Sequence, residues 1–239
     1  MNIIFNFLKR LFAGQKPINS YLLEYRYSGY PKKYFLDRHF ELKRHYRIAH
    51  YSYHYVPHIT VAGPIESNNE LKLIEVLEKI IFGKAQSFHK PGNLIGTGKY
   101  IKFDTPIGGK VLAIEVKPSK PLVALKKEID STLNSIQGFK CQTYQKEIWH
   151  TTIWNMKQNA YSNNAKFQNV WNALNKNPQE MKFIFDRITL IKNGKILREF
   201  DLANLKTLNR FKSLDNDVRY KSYINMKSEL ESKGESFKY

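Results

Sequence analysis

One cysteine, Cys141, is all the thiol chemistry this 239-residue chain has. No intramolecular disulfide can form and a Cys-ligated structural zinc site is excluded, which fits a reducing, cytoplasmic setting. No helix N-terminus or base is evident beside Cys141 in the sequence, so it reads as a packing residue and not a nucleophile. Acidic residues are scarce too: 21 Asp and Glu stand against 39 Lys and Arg, a formal charge of +18. That balance produces a positive surface potential and favours polyanionic partners such as RNA, DNA or anionic lipid. Long apolar runs are missing, since none nears the roughly 20 residues that span a bilayer, and no basic n-region precedes the first apolar segment. A soluble protein is expected. No internal repeat and no TIM-barrel or Rossmann pattern is visible.

What the chain does have is core-forming material: 15 Phe, 15 Tyr and a hydrophobic fraction of 42%, enough for one large domain or two small lobes. The start, NIIFNFLKRLFAG, is amphipathic, with Ile4, Leu8 and Leu11 on one helical face. An N-terminal helix over 1–18 is expected to dock on the body of the protein, contact with a membrane surface being the alternative. SYLLEYRYSG (20–29) reads as a strand and PKKYFLDRHFELKRHY (31–46) as a helix opened by Pro31. HYSYHYVPHITVAGP (50–64) reads as a strand, and SNNELKLIEVLEKIIFG (67–83) as a helix with an N-cap Ser or Asn and a closing glycine.

Strands are predicted at 98–105 and 110–118, joined through Pro-Ile-Gly-Gly as a hairpin, followed by a helix over 122–136. KEIWHTTIWNM (146–156) alternates as a strand, 164–177 has helical spacing, and 182–203 reads as a hairpin about Asn193-Gly194. The fold class is therefore α+β with antiparallel pairing. From Asn204 the chain is polar and Lys-rich, a basic tail or appended helix over 204–239 with weak helical spacing.

His50, His54 and His58 lie four apart, a spacing that would align them on a helix or on one face of a strand. No Asp, Glu or Cys joins them between Ile48 and Ile65, and Pro57 among β-branched and Tyr residues disfavours the helix. No metal is expected there, and His50 and His54 read as structural or exposed. His58 is distinguished by its followers, His58-Ile59-Thr60-Val61, because a second copy, His150-Thr151-Thr152-Ile153, occurs far downstream. From the His, Thr and aliphatic frequencies, chance predicts about 0.06 such tetrads in a chain of this length. His50-Tyr51-Ser52-Tyr53 is a looser relative of the pattern.

On strands, His58 with Thr60 and His150 with Thr152 would each project an imidazole and a hydroxyl to one side, while Ile59, Val61 and Ile153 go to a core. A cleft between such strands would surround one small anion with two imidazoles and two hydroxyls. Lys99, Lys102, Tyr144 and Lys146, on segments near the motif strands, are further candidates for holding substrate. Tyr100 and Phe103 read as core residues that could alternatively stack a base.

VPHITVAGPI and WHTTIW, with ITLIKNGKILREFDLA as a closing hairpin, resemble the two-histidine (2H) phosphoesterase superfamily over residues 19–203. The resemblance implies two pseudo-symmetric lobes of antiparallel sheet with outer helices around a central cleft. His58 and His150 would then be the catalytic pair, with Thr60 and Thr152 on the phosphate. It implies a metal-independent, cofactor-free phosphodiesterase acting on the 2′,3′-cyclic phosphate of an RNA end or nucleotide; a monomer is expected. Hydrolysis of 2′,5′-linked or 3′,5′-cyclic (oligo)nucleotides, or RNA binding without catalysis, are the alternatives. Thr151, the Tyr-rich approach to His58, the N-terminal helix and the C-terminal tail depart from the family pattern.

Overall fold

The structure, a computed structural model, describes residues 19–46, 56–104, 110–142, 148–156, 164–176 and 180–237. The N-terminal segment 1–18, His50 and His54, the turn at 106–109, and Tyr144 and Lys146 lie outside the described residues.

Period-2 burial builds strand β1 (Asn19–Arg26), which sends Tyr21, Leu23 and Tyr25 into the core and Glu24 and Arg26 to the opposite face. It pairs antiparallel with β2 (His58–Ser67) through two register shifts: Tyr21 faces Ile65 and Leu23 faces Ala62, yet Glu24 faces Thr60 and Arg26 faces His58. Each shift places an extra residue on β2 and re-aims the residues upstream of it. Both strands belong to a six-stranded sheet in the order β10-β9-β8-β1-β2-β5. Its other members are β5 (Phe139–Cys141), β8 (Arg187–Lys192), β9 (Lys195–Asp201) and β10 (Lys206–Asn209). The β8–β9 hairpin turns at Asn193 and Gly194, whose φ values of 50° and 74° are those a tight primed turn requires.

A second sheet, in the order β6-β4-β3-β7, contains β3 (Ile95–Asp104), β4 (Lys110–Lys117), β6 (His150–Met156) and the short β7 (Lys182–Phe183). All strand pairings in both sheets are antiparallel, so the architecture is the α+β class read from the sequence. β5 is not legible beforehand, and Lys182–Phe183, read with the 182–203 hairpin, forms a separate strand in the other sheet, because strands of two or three residues carry no periodicity.

Helix α1 (Gly29–Tyr46) crosses to the second sheet, where the Tyr34 and Tyr100 hydroxyls meet at 3.3 Å and His39 Nδ1 donates to the carbonyl of Ile153 at 3.0 Å. Helix α2 (Glu70–Phe88) is capped by the Asn69 side chain, which accepts from Lys72 N–H at 3.0 Å. It runs past Gly83, where the sequence suggested an end. A Cβ at that glycine would meet nothing within 4 Å, so a solvent-facing helical glycine costs only about 1 kcal/mol. Burial of Ala85 and Phe88 carries the helix one turn further. Helix α3 (Lys120–Ser135) buries Leu122, Leu125, Ile129 and Leu133 beside α2.

Tyr25, Tyr27, Phe88, Phe183 and Phe185 form an aromatic cluster in the core. Each such ring contributes on the order of 1.5–3 kcal/mol by leaving water. Helix α4 (Asn164–Leu174) lies on β3, and the C-terminal part folds as α5 (Arg210–Leu214) and α6 (Asn216–Ser232). Among the described residues no helix is long and apolar enough to cross a membrane.

Candidate active site

The two tetrads occupy equivalent places. His58 is the first residue of β2 and His150 the first of β6, and the two strands touch across the junction of the sheets. His58 Nδ1 lies 2.8 Å from the carbonyl of Val56, and His150 Nδ1 lies 2.7 Å from the carbonyl of Ile148. In both cases the partner is the carbonyl two residues upstream. A carbonyl oxygen only accepts, so each Nδ1 carries the proton that is donated, and each Nε2 is left as the reactive nitrogen.

Two residues along, Thr60 is exposed and Thr152 half-buried, each on its histidine's side of the strand, while Ile59, Val61 and Ile153 are buried. Thr151, between His150 and Thr152, is fully buried and its hydroxyl bonds the hydroxyl of Tyr27. That contact ties β6 to the residue that follows β1.

The rings differ in surroundings. Burial pushes the His150 pKa below that of an ordinary imidazole, the hydrogen bond to Ile148 opposes this, and the charge of His58 lowers it further. The two imidazoles therefore feel each other. Phe103 stands edge-on to His150, centroids 4.9 Å apart at 72°, and supplies part of that desolvation. His58 has a carboxylate neighbour instead: Glu24 Oε1 lies 3.7 Å from His58 Nε2, an ion-pair distance when the ring is protonated. Arg26 Nε donates to the other Glu24 oxygen at 3.2 Å.

Glu24 and Arg26 are neighbours of His58 that the tetrads alone do not reveal. Their signal was available as two charged residues at alternate positions of an otherwise apolar strand. Only the bulged register opposite Thr60 and His58 shows where they point. On β4, Glu115 similarly faces His150 and Ala113 faces Thr152.

Of the four further candidates, Lys99 is exposed and Lys102 faces away from the histidines. Lys102 Nζ donates to Gln168 Oε1 at 2.5 Å and sits 4.3 Å from the centroid of the Trp171 ring, both on α4. Its neighbour Phe103 turns toward His150, so strand alternation sends Lys102 to the other side. Tyr100 is buried against Tyr34. The Cys141 thiol is buried, donates to Asp130 Oδ1 at 3.2 Å, and is pushed up to about 12 by burial and that carboxylate, which makes it a poor nucleophile.

The start of β2 and the start of β6 thus each carry an imidazole with its Nδ1 engaged and a threonine two residues on, and the Glu24–Arg26 pair lies beside the first of them. Side chains of these types can move protons and donate to an anion.

No family model matches the sequence, and no curated protein matches it. Among solved structures, the chain is similar to Kluyveromyces marxianus Usb1, with a TM-score of 0.40 at 14% identity. It is also similar to Kluyveromyces marxianus Usb1 with uridine monophosphate, with a TM-score of 0.39 at 12% identity. Each alignment covers 80% of this chain and 97% of the other.

Proposed function

We propose that the cleft hydrolyses a phosphodiester, the 2′,3′-cyclic phosphate of an RNA end or nucleotide, by general acid–base catalysis between His150 and His58. The observation that carries this reading is that two imidazoles open two touching strands, β2 and β6, each held by Nδ1 to the carbonyl two residues upstream so that Nε2 is left for a substrate. His150, whose pKa is lowered, is neutral at pH 7 and takes the role of base. His58, with Glu24 3.7 Å from its Nε2, takes the role of acid.

In the step, water attacks phosphorus while His150 Nε2 accepts its proton. The bond from phosphorus to one ribose oxygen then breaks, and that oxygen takes the proton from His58 Nε2. Thr60 and Thr152 donate to the non-bridging oxygens as charge accumulates on them. These side chains supply acid, base and donors without a metal. The net charge of +18 draws a polyanionic substrate to the cleft.

The test is a panel of 2′,3′-cyclic, 3′,5′-cyclic and 2′,5′-linked compounds incubated in EDTA, with product phosphate position read by phosphorus NMR. The expected outcome is turnover of the 2′,3′-cyclic compounds, reduced roughly 10²–10⁴-fold in His58→Ala and in His150→Ala. Turnover abolished by EDTA, or retained at wild-type rate in either variant, overturns the mechanism. Salt-sensitive RNA binding with no turnover at all would leave a nucleic-acid-binding module.

A further inference from the structure

A cavity of about 290 Å³ opens between the start of helix α1 and the C-terminal helix α6, lined by neither His58 nor His150. Its walls include Ser28, just before the first helix, Gly29 and Lys32 from that helix, and Arg219, Tyr220 and Tyr223 from the last. The Ser28 hydroxyl is buried without a hydrogen-bond partner, and the residue as a whole is only 9% exposed. A buried hydroxyl left unpaired is costly, and a structure that retains one at a cavity wall invites an explanation.

Two cations face this space. Lys32 and Arg219 make no salt bridge among the described residues, and they lie close enough for the guanidinium charge, after burial, to lower the Lys32 pKa. Nearby, the buried Asp186 interacts with Arg219 but remains a single carboxyl against two cations. The α1 terminus adds to the positive side, since its first turn holds no acidic residue and its leading N–H groups lack helical acceptors. Two unpaired cations, a hydroxyl and a helix N-terminus together match the oxygens of a phosphate. Tyr220, 66% exposed, and Tyr223, whose ring a Cβ at Gly29 would approach to 3.0 Å, place aromatic faces at the same opening.

The cavity is connected to the cleft by β1. Arg26 stands opposite His58, and Ser28 follows two residues later, at most about 7 Å of chain away. The backbone therefore runs directly from the residue opposite His58 to the wall of this cavity.

We propose that Ser28, Lys32 and Arg219 form a second phosphate site that holds the linkage adjacent to the one in the cleft, with Tyr220 and Tyr223 beside the attached nucleoside. The site rests on the reading of the cleft as a phosphodiester site, and it makes the protein a reader of short RNA in preference to mononucleotides. The α6 side of this site comes from the segment that the sequence marked only as basic and polar.

The experiment is fluorescence anisotropy of a labelled tetranucleotide ending in a 3′-phosphate, titrated with the full chain at several salt concentrations. Lys32→Gln/Arg219→Gln is expected to weaken binding about tenfold or more and to flatten the salt dependence by nearly two phosphate contacts. Lys32→Gln alone, at an exposed position, is expected to show part of the loss, and Lys32→Arg to keep wild-type affinity. Equal affinity and equal salt slope for wild type and the double variant overturn the site, as does a Lys32→Arg variant as weak as Lys32→Gln. If the cyclic-phosphate panel shows no turnover while binding still depends on Lys32 and Arg219, the catalytic reading fails and this site stands. Turnover with unaltered tetranucleotide binding in the double variant removes this site alone.

Discussion

His150 gives the most direct measurement at the scale of single residues. Burial and the His58 charge both lower its pKa, so the neutral base persists to below the ordinary 6.5. The acid limb of a kcat/KM profile should therefore fall below pH 6.5. In His58→Gln, nitrogen-detected NMR titration should show the His150 midpoint moving upward, because a repelling charge is gone. A midpoint that stays put or falls would deny that the two rings share one site. Asp186 behaves oppositely: burial raises its carboxyl to about 6, offset in part by Arg187, and both side-chain oxygens lack a partner from another residue. A carboxyl that holds its proton more tightly when folded favours the fold below about pH 4. That contribution is lost as pH rises through 6, up to roughly 3 kcal/mol for a two-unit shift. Asp186→Asn is expected to be more stable than wild type at pH 8 and to gain little at pH 4, as checked by urea denaturation at both values. The tetrads were legible at this scale because His and Thr at alternate positions are a local pattern. Glu24 was not assigned, since one strand's sequence does not say what it lies beside.

Elements are held in place by a polar ladder across the first sheet. Thr60 faces Glu24, Glu24 faces Thr189, and Thr189 faces Glu199, so four strands in succession put polar side chains on one face. At the far end Arg187 is buried, its guanidinium donating to Glu199 at 2.5 Å and to Ser222 Oγ and the Val218 carbonyl of α6 at 2.8 and 2.7 Å. Ser222 Oγ in turn donates to Asp201 at 2.5 Å. Helix α6 is thus fastened to the sheet by buried charge, and a second tie runs from Glu229 to His89 at 2.6 Å. Removing one member of a buried pair leaves the other uncompensated, so Arg187→Met is expected to cost about 3–5 kcal/mol in chemical denaturation. A loss under 1 kcal/mol would show that the ladder does not bear on stability. None of these polar ties is visible in the weakly periodic sequence of 204–239; the sequence shows only the short apolar spacing whose Met226, with Leu230 one turn on, is buried in the core.

For the whole molecule, the excess of 18 positive charges sets the range over which a substrate is felt. With the Debye length near 10 Å at 0.1 M salt, attraction beyond the cleft is screened progressively as salt rises. The KM for an RNA ending in a cyclic phosphate is expected to climb steeply between 50 and 200 mM salt, while that of a nucleoside 2′,3′-cyclic phosphate changes little. Parallel salt dependence for both would indicate that the positive surface contributes nothing beyond the reacting phosphate.

What the sequence by itself determined was the α+β order of elements, the antiparallel pairing, and the pair of strands carrying an imidazole and a hydroxyl on one side. These follow from period-2 and period-3.6 patterns set by covalent geometry, which need no knowledge of distant residues. Tertiary structure alone decided that β2 is bulged against β1 so that Glu24 meets His58, and that Lys102 faces α4 while Phe103 faces His150. It also decided that α6 closes a cationic cavity with α1. Each of those depends on which remote surfaces dock, and docking is governed by summed burial and charge pairing across the molecule, quantities that no local window of sequence contains.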